Sequence, residues 1–266
     1  MIKAVGLCGD LEAAFDIVDQ VHNQFKAINQ DTVRHLLMAC ISDKDAGFRH
    51  ALILWRKVRG FKLAGNLDAK GNRRSRKATL LQGGVEGNNQ LTVETYNLML
   101  RAAKECGVGD QRQVQQLLIE AMPAEEVRRI GAKHQQDLKR LGTVSDGSRH
   151  DVNVLQLVDS GQKSLTPVLP NFLDPNPRFD GVDIMGLGSL DRPQDRLFLM
   201  GRAEGLLRTM SQVDRQKPDV KTFSLLMSCV EDTSEAEDEL VSLMGQYKVT
   251  PDTDFYNQLM HKGKMR

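Results

Sequence analysis

A chain of 266 residues with 40% hydrophobic content can bury a sizeable core, and a formal charge of +1 neither demands nor excludes a nucleic-acid partner. No apolar run approaches the ~20 residues needed to cross a bilayer, and Cys8, Cys40, Cys106 and Cys229 are too scattered for a disulfide framework or a paired-cysteine metal site. An aromatic fraction of only 5% suits thin layers of Leu, Met and Ala rather than a deep globular centre.

From the start the apolar residues fall into helical stripes. Ala14, Ile17, Val18 and Val21 stand at i, i+3, i+4 and i+7, which puts four side chains on one helix face. Gly9-Asp10 before them reads as the turn of a helix hairpin, so the chain is expected to open partway through a repeat, with no transit peptide, and to stop partway through another. Val33, Leu36, Leu37 and Cys40 predict a first helix begun at Asn29 or Asp31, and Ala51, Leu54, Trp55 and Val58 predict the second helix that folds back on it. Residues 1–59 thus read as one second helix and one whole hairpin.

Residues 60–91 break the pattern. Gly60, Gly65, Gly71, Gly83, Gly84 and Gly87, with the basic run Lys70, Arg73, Arg74, Arg76 and Lys77, predict an unstructured insertion with little to bury. Residues 92–141 resume as a hairpin plus an extra helix: Tyr96, Met99, Leu100 and Ala103 mark the first helix, and Gln115, Leu118, Ile119 and Met122 the second, with a turn near Gly107-Val108-Gly109-Asp110. The extra helix is predicted over 123–141, with Arg128, Arg129, Lys133, Lys139 and Arg140 on it. Residues 142–195 carry Pro167, Pro170, Pro175, Pro177 and Pro193 and read as a second, irregular insertion, with 162–194 expected to be poorly ordered. In the last region, 196–266, Ala203, Leu206, Leu207 and Met210 predict a second helix whose upstream partner the pattern leaves open.

Near the end the sequence says nearly the same thing twice. Pro218-Asp219-Val220-Lys221-Thr222-Phe223-Ser224 returns as Pro251-Asp252-Thr253-Asp254-Phe255-Tyr256-Asn257, 33 positions on, from 218 to 251. A period of that size without strand alternation points to stacked helix hairpins. Each proline ends what precedes it, and Asp219 and Asp252 are placed to cap the helix that follows. Phe223, Leu226, Met227 and Val230 form one stripe; Glu237, Leu240, Val241 and Met244 form the next, and Tyr256, Leu259 and Met260 begin a third. Tyr96, Phe223 and Tyr256 are accordingly predicted as equivalent core residues.

The Pro-Asp-led units, Thr-Tyr-Asn at 95–97 and Gly9-Asp10-Leu11-Glu12-Ala13-Ala14 resemble the pentatricopeptide repeat family over about two thirds of the chain. The resemblance implies an all-α, right-handed solenoid of helix-turn-helix repeats, here with two loop insertions, and non-catalytic RNA binding. In that family the sixth residue of a unit, counted from the Asp of Pro-Asp, reads one RNA base together with the first residue of the next unit. Carried over, the sixth positions are Arg34, Asn97, Ser224 and Asn257, and the first positions are Asn29, Thr92, Asp219 and Asp252. Read as residues alone, Asp219 and Asp252 serve equally as helix caps, and Asn97, Ser224 and Asn257 as solvated polar positions. Arg73, Arg74, Arg76 and Lys77 could clamp phosphates, or lie in a solvated loop. A narrower likeness to a metazoan mitochondrial member implies a matrix protein whose partners are leucine tRNA precursors, ribosomal RNA and a tRNA 3′-processing endonuclease. The alternative is a protein-interaction solenoid that scaffolds an RNA-processing complex.

Nothing in the sequence supports an enzyme. His22, His35, His50, His134, His150 and His261 show no metal-ligand spacing, and Gly186-Leu187-Gly188 and Gly83-Gly84 complete no dinucleotide or phosphate loop. The carboxylates at 231–239 sit at a helix start, where negative charge favours the macrodipole. No cofactor, metal or small-molecule substrate is therefore expected.

Overall fold

The computed structural model describes residues 5, 8, 10–25, 30–65, 91–121, 125, 127–129, 169–175, 177 and 190–265, and every regular element among them is helical. In chain order these are α1 (Leu11–Phe25), α2 (Gln30–Ser42), α3 (Gly47–Gly65), α4 (Val93–Glu105), α5 (Gln111–Ala121), α6 (Pro193–Phe198), α7 (Arg202–Arg208), α8 (Val220–Met227), α9 (Ser234–Gln246) and α10 (Thr253–Met265). A π-helical turn, Thr209–Val213, continues α7. The basic residues 73–77 and most of the predicted helix over 123–141 lie outside the described residues. Gly60 does not end α3, which runs on to Gly65.

Side-chain caps start several of the helices, though not α6 or α7. The Thr92 hydroxyl accepts the Thr95 N–H at the head of α4, and the Thr233 hydroxyl accepts the Ala236 N–H at the head of α9. At α8 the capping is reciprocal: the Asp219 carboxylate accepts the Thr222 N–H at 2.7 Å, and the Thr222 hydroxyl accepts the Asp219 N–H at 3.3 Å. Asp252 accepts the Phe255 N–H at 2.8 Å to open α10. The two Pro-Asp signals are thus true helix starts.

Four helices, α2, α4, α8 and α10, lie each against the next to form one layer. On its other side α3 packs against α2 and α4, α6 against α4, and α9 against α8. The core runs between the layers, with Trp55, Tyr96, Phe223, Leu36 and Met99 fully buried in it. Trp55 and Tyr96 meet edge to face, ring centroids 4.9 Å apart.

The sequence expectation for residues 92–122 differs from what the structure contains. The helix that folds back on α4 is α6–α7 with its π turn, the element left without a partner by the sequence pattern. At one end of α4 the Asp214 carboxylate accepts the Tyr96 hydroxyl at 2.6 Å and the Leu91 N–H at 3.2 Å. At the other end the Arg196 guanidinium donates to the Ala103 carbonyl at 2.6 Å. The turn after α4 is fastened instead to the α2–α3 turn and the head of α3: Gly107 N–H donates to the Lys44 carbonyl, Phe48 N–H to the Gly107 carbonyl, and Gly109 N–H to the Asp45 carbonyl. A Cβ at Gly107 would stand 2.4 Å from the Asp45 carbonyl oxygen, so only glycine permits this approach. Helix α5 then follows α3, where Arg56 donates to the Leu117 carbonyl at 3.2 Å.

Part of the second insertion is a packed strap rather than a loose loop. Phe172 and Leu173 are buried, the Trp55 indole donates to the Leu173 carbonyl at 3.2 Å, and the Phe172 N–H donates to the Leu199 carbonyl at 2.9 Å. The Asn171 amide donates to the Thr209 hydroxyl at 2.9 Å and to the Gly205 carbonyl at 3.3 Å. Three polar anchors and two apolar side chains outweigh the proline content that suggested disorder. Within 162–189 only 169–175 and 177 belong to the described residues.

Three stripe assignments shift. Tyr256 is 53% exposed, as is Met260 at 59%, while Phe255 is fully buried. Tyr96 and Phe223 lie under a second helix, whereas no described element covers that side of α10, and the neighbouring residue takes the core position. In α9, Val241 faces out and Leu243 joins Leu240 and Met244 inside; Ile119 in α5 is likewise exposed. Phe223→Ala is expected to lower stability by about 3–5 kcal/mol as a large-to-small core change. Tyr256→Ala should stay within about 0.5 kcal/mol as a surface change. Urea titration of the two variants distinguishes the two positions.

Candidate nucleic-acid interface

The layer α2, α4, α8, α10 sets two of the sixth-position residues near the N-terminus of the next first helix, Arg34 near that of α4 and Asn97 near that of α8. Asn97 in α4 and Asp219, the cap of α8, are 122 positions apart in sequence, yet the Asn97 amide donates to the two Asp219 carboxylate oxygens at 3.2 and 3.4 Å. The other end of the same amide, Asn97 Oδ1, lies 2.8 Å from the Thr222 hydroxyl. That hydroxyl is also 2.7 Å from Asp219 Oδ1, so its single proton serves one of two acceptors at a time. Asp219 is thus the successor of Asn97, across an interval that hid the pairing from the sequence.

Burial by itself would raise the Asp219 pKa. Hydrogen bonds from the Thr222 hydroxyl and N–H, then from Asn97, with the charge of Lys221, outweigh that cost and hold the carboxyl below its ordinary value. Asn97 is only 5% exposed and its amide is engaged at both ends, so it is neither a solvated residue nor an open contact.

The other predicted positions differ among themselves. Arg34, half-buried, reaches across to the next unit, where its guanidinium stands 3.3 Å from Glu94, two residues past Thr92. Thr92 is occupied as a cap, its hydroxyl 3.0 Å from that of Thr95. Ser224 is half-buried, while Asp252 and Asn257 are exposed. Asn29 and the phosphate-clamp candidates Arg73, Arg74, Arg76 and Lys77 lie outside the described residues. The edge therefore carries both signs, Glu94, Asp219, Asp252 and Asp254 against Arg34 and Lys221. It offers polar groups in register, one set per helix, and little net positive charge. Among the described residues no three His, Cys, Asp or Glu groups are placed to hold a metal ion, and no helix is long and apolar enough to cross a membrane. Burial pushes the Cys40 and Cys229 thiols up to about 12, far from the range of a reactive thiolate.

A helical-repeat protein is the class that these features define: hairpins led by Pro-Asp caps, first helices in one layer, and polar groups in register along its edge. The pentatricopeptide resemblance read from the sequence stands. The chain is 27% identical over 305 residues to pentatricopeptide repeat-containing protein 1, mitochondrial, of Pongo abelii, across 98% of this chain and 40% of that protein. It is 27% identical over 309 residues to the Mus musculus protein of the same name and 25% identical over 305 residues to the Homo sapiens one, with the same coverage. The chain spans about two fifths of the length of these curated relatives. No protein-family model matches it, and no solved structure does.

Asn97→Ala should cost about 1–3 kcal/mol, because it strips hydrogen bonds from Asp219 and Thr222 in a half-buried junction. The depressed Asp219 pKa adds stability that is fully present above its unfolded value of about 3.9 and is lost as pH falls through the lower folded value. Asp219→Asn is expected to flatten that part of the acid limb in a pH series of urea titrations.

Proposed function

We propose that this protein is a non-catalytic, RNA-binding repeat protein of mitochondria, built as a right-handed solenoid of pentatricopeptide-type hairpins with two insertions. The observation that carries this reading is the Asn97–Asp219 contact, in which a sixth residue meets the first residue of the next stacked unit. The position name the family resemblance gave to each residue thereby acquires a geometry. Small polar groups in such a row can hydrogen-bond the edges of unstacked bases, one base per unit. The likeness to relatives named as mitochondrial supports the compartment.

In the finer form of the proposal, the protein works in the matrix on leucine tRNA precursors and ribosomal RNA, beside a tRNA 3′-processing endonuclease. The four position pairs are not equivalent within it. Asn97 and Asp219 already satisfy one another, and Arg34 is tied to Glu94, whereas Ser224, Asp252 and Asn257 keep accessible polar groups for a base. Because the described edge has little net positive charge, the phosphate contacts are assigned to Arg73, Arg74, Arg76 and Lys77.

The two groups should fail differently in RNA titrations. Ser224→Ala with Asp252→Ala is expected to narrow the affinity difference between RNAs, by about 1–3 kcal/mol for each base that is no longer read. Replacing Arg73, Arg74, Arg76 and Lys77 by Ala should weaken all RNAs together and flatten the salt dependence. A folded double variant that bound every RNA as the parent does would remove the base-reading role.

A further inference from the structure

On the side of the molecule formed by the second helices, α6–α7 and α9 stand apart, and a cleft of about 130 Å³ opens between them. Its floor is apolar, made by Leu197, Ala203, Leu240 and Leu243, with Phe198 and Val230 half-buried at its sides. The cleft exists because the second helix of this unit is broken. Leu199 and Met200 leave the helix, and Gly201 and Arg202 follow with φ of 78° and 59°. A Cβ at Gly201 would collide with Asn171 of the strap, and Arg202 holds a left-handed conformation that a non-glycine residue rarely adopts. This break turns the Arg202 guanidinium over the Phe198 ring, 4.7 Å from its centroid, on one rim.

The opposite rim is acidic. Glu231 and Glu239 line it and are exposed, and Glu235 and Asp238 stand exposed on the same helix start. Asp232 next to them is paired with Lys262 at 2.7 Å. An apolar cleft beside a cluster of exposed carboxylates repels the phosphates of RNA and attracts a cationic polypeptide. Both long walls are helices whose main-chain groups are bonded internally, so they offer no sheet edge to an extended strand. A segment that docks here has to satisfy its own main chain, as a helix does. The cleft volume is close to the ~150 Å³ of an apolar cavity that takes up benzene, which fits one bulky apolar side chain as an anchor.

We infer that this cleft is a protein-docking site for a basic amphipathic helix, which inserts a Leu or Phe between α6–α7 and α9 and sets Lys or Arg against Glu231 and Glu239. It is separate from the first-helix edge proposed for RNA, so the chain could hold both at once.

The test uses the full chain and a fluorescein-labelled synthetic helix of about 15 residues, roughly four turns, with Phe and Leu at i and i+4 and lysines on the flanks. Its control is the twin with every Lys replaced by Glu. The Lys peptide is expected to bind at least about ten-fold tighter than its twin and to weaken as salt rises. Glu231→Lys with Glu239→Lys, both at exposed positions, should reverse that preference. Ala236→Trp, which fills the cleft, should abolish binding of either peptide. In separate titrations with single-stranded oligouridylate, none of these variants should change RNA affinity, so a failure of the RNA reading would be seen independently. Equal binding of the twins, or peptide binding indifferent to the charge reversal, would overturn the inference. So would oligouridylate binding that is lost with Glu231→Lys and Glu239→Lys, or self-association of the chain in sedimentation that Ala236→Trp abolishes.

Discussion

Two buried ionic side chains, Asp214 and Arg196, decide how this chain is paired. Each is almost wholly removed from water, and an ion so placed costs several kcal/mol unless it is well bonded. Asp214 meets the cost with the Tyr96 hydroxyl and the Leu91 N–H; Arg196 meets it with the carbonyls of Ala103, Leu190 and Asp191. The two sit at opposite ends of α4, and Arg196 also brings a positive charge to the negative end of that helix. No other helix among the described residues offers α4 both groups. Helix α5, nearer in sequence, is bonded to α3 instead, through Arg56 and the Leu117 carbonyl. A long excursion between α4 and its partner is tolerable on these terms, since loop-closure entropy grows only slowly with length.

Once α4 is paired with α6–α7, the next first helix must start where α7 and its π turn end. That brings Pro218-Asp219 beside Asn97 and generates the polar junction between successive units. The junction stabilises the stacking, and it also occupies the groups that a base would otherwise meet. Units that lack so complete a junction, with Ser224 in place of Asn97, keep their polar groups accessible. The regularity of the stack and the openness of its edge therefore oppose one another, unit by unit.

Local chemistry was legible in the sequence; pairing at a distance was not. The two Pro-Asp pairs announce helix starts because a cap acts within three residues, and the Phe223 stripe follows from helix geometry alone. The partner of α4 was hidden because apolar spacing says which face is buried but not which helix buries it. Residues 169–173 looked like a proline-rich loop, since the bonds that fix them join them to distant residues: the Trp55 indole to the Leu173 carbonyl, the Phe172 N–H to the Leu199 carbonyl, and the Asn171 amide to Gly205 and Thr209. Tyr256 was assigned by alignment with Phe223, and the alignment is sound in sequence. What differs is the covering helix, which is a property of the neighbour and not of the residue. At the candidate edge the positions were readable, but whether each group was open or already bonded depended on contacts such as Asn97 to Asp219.

The strap and the helix break belong to one arrangement. Asn171 is bonded to Gly205 and Thr209 and fills the space a side chain at Gly201 would need, so the left-handed turn and the strap each require the other. That turn ends α6 after six residues and redirects the chain into α7. The strap is thus bonded where the second helix breaks, and the apolar floor of the cleft lies beside that break and next to the acidic start of α9. Two surfaces of different chemistry thus stand on the two sides of the stack, a polar row on the first helices, which follows from the repeat, and an apolar, acid-rimmed cleft on the second, which lies at the break.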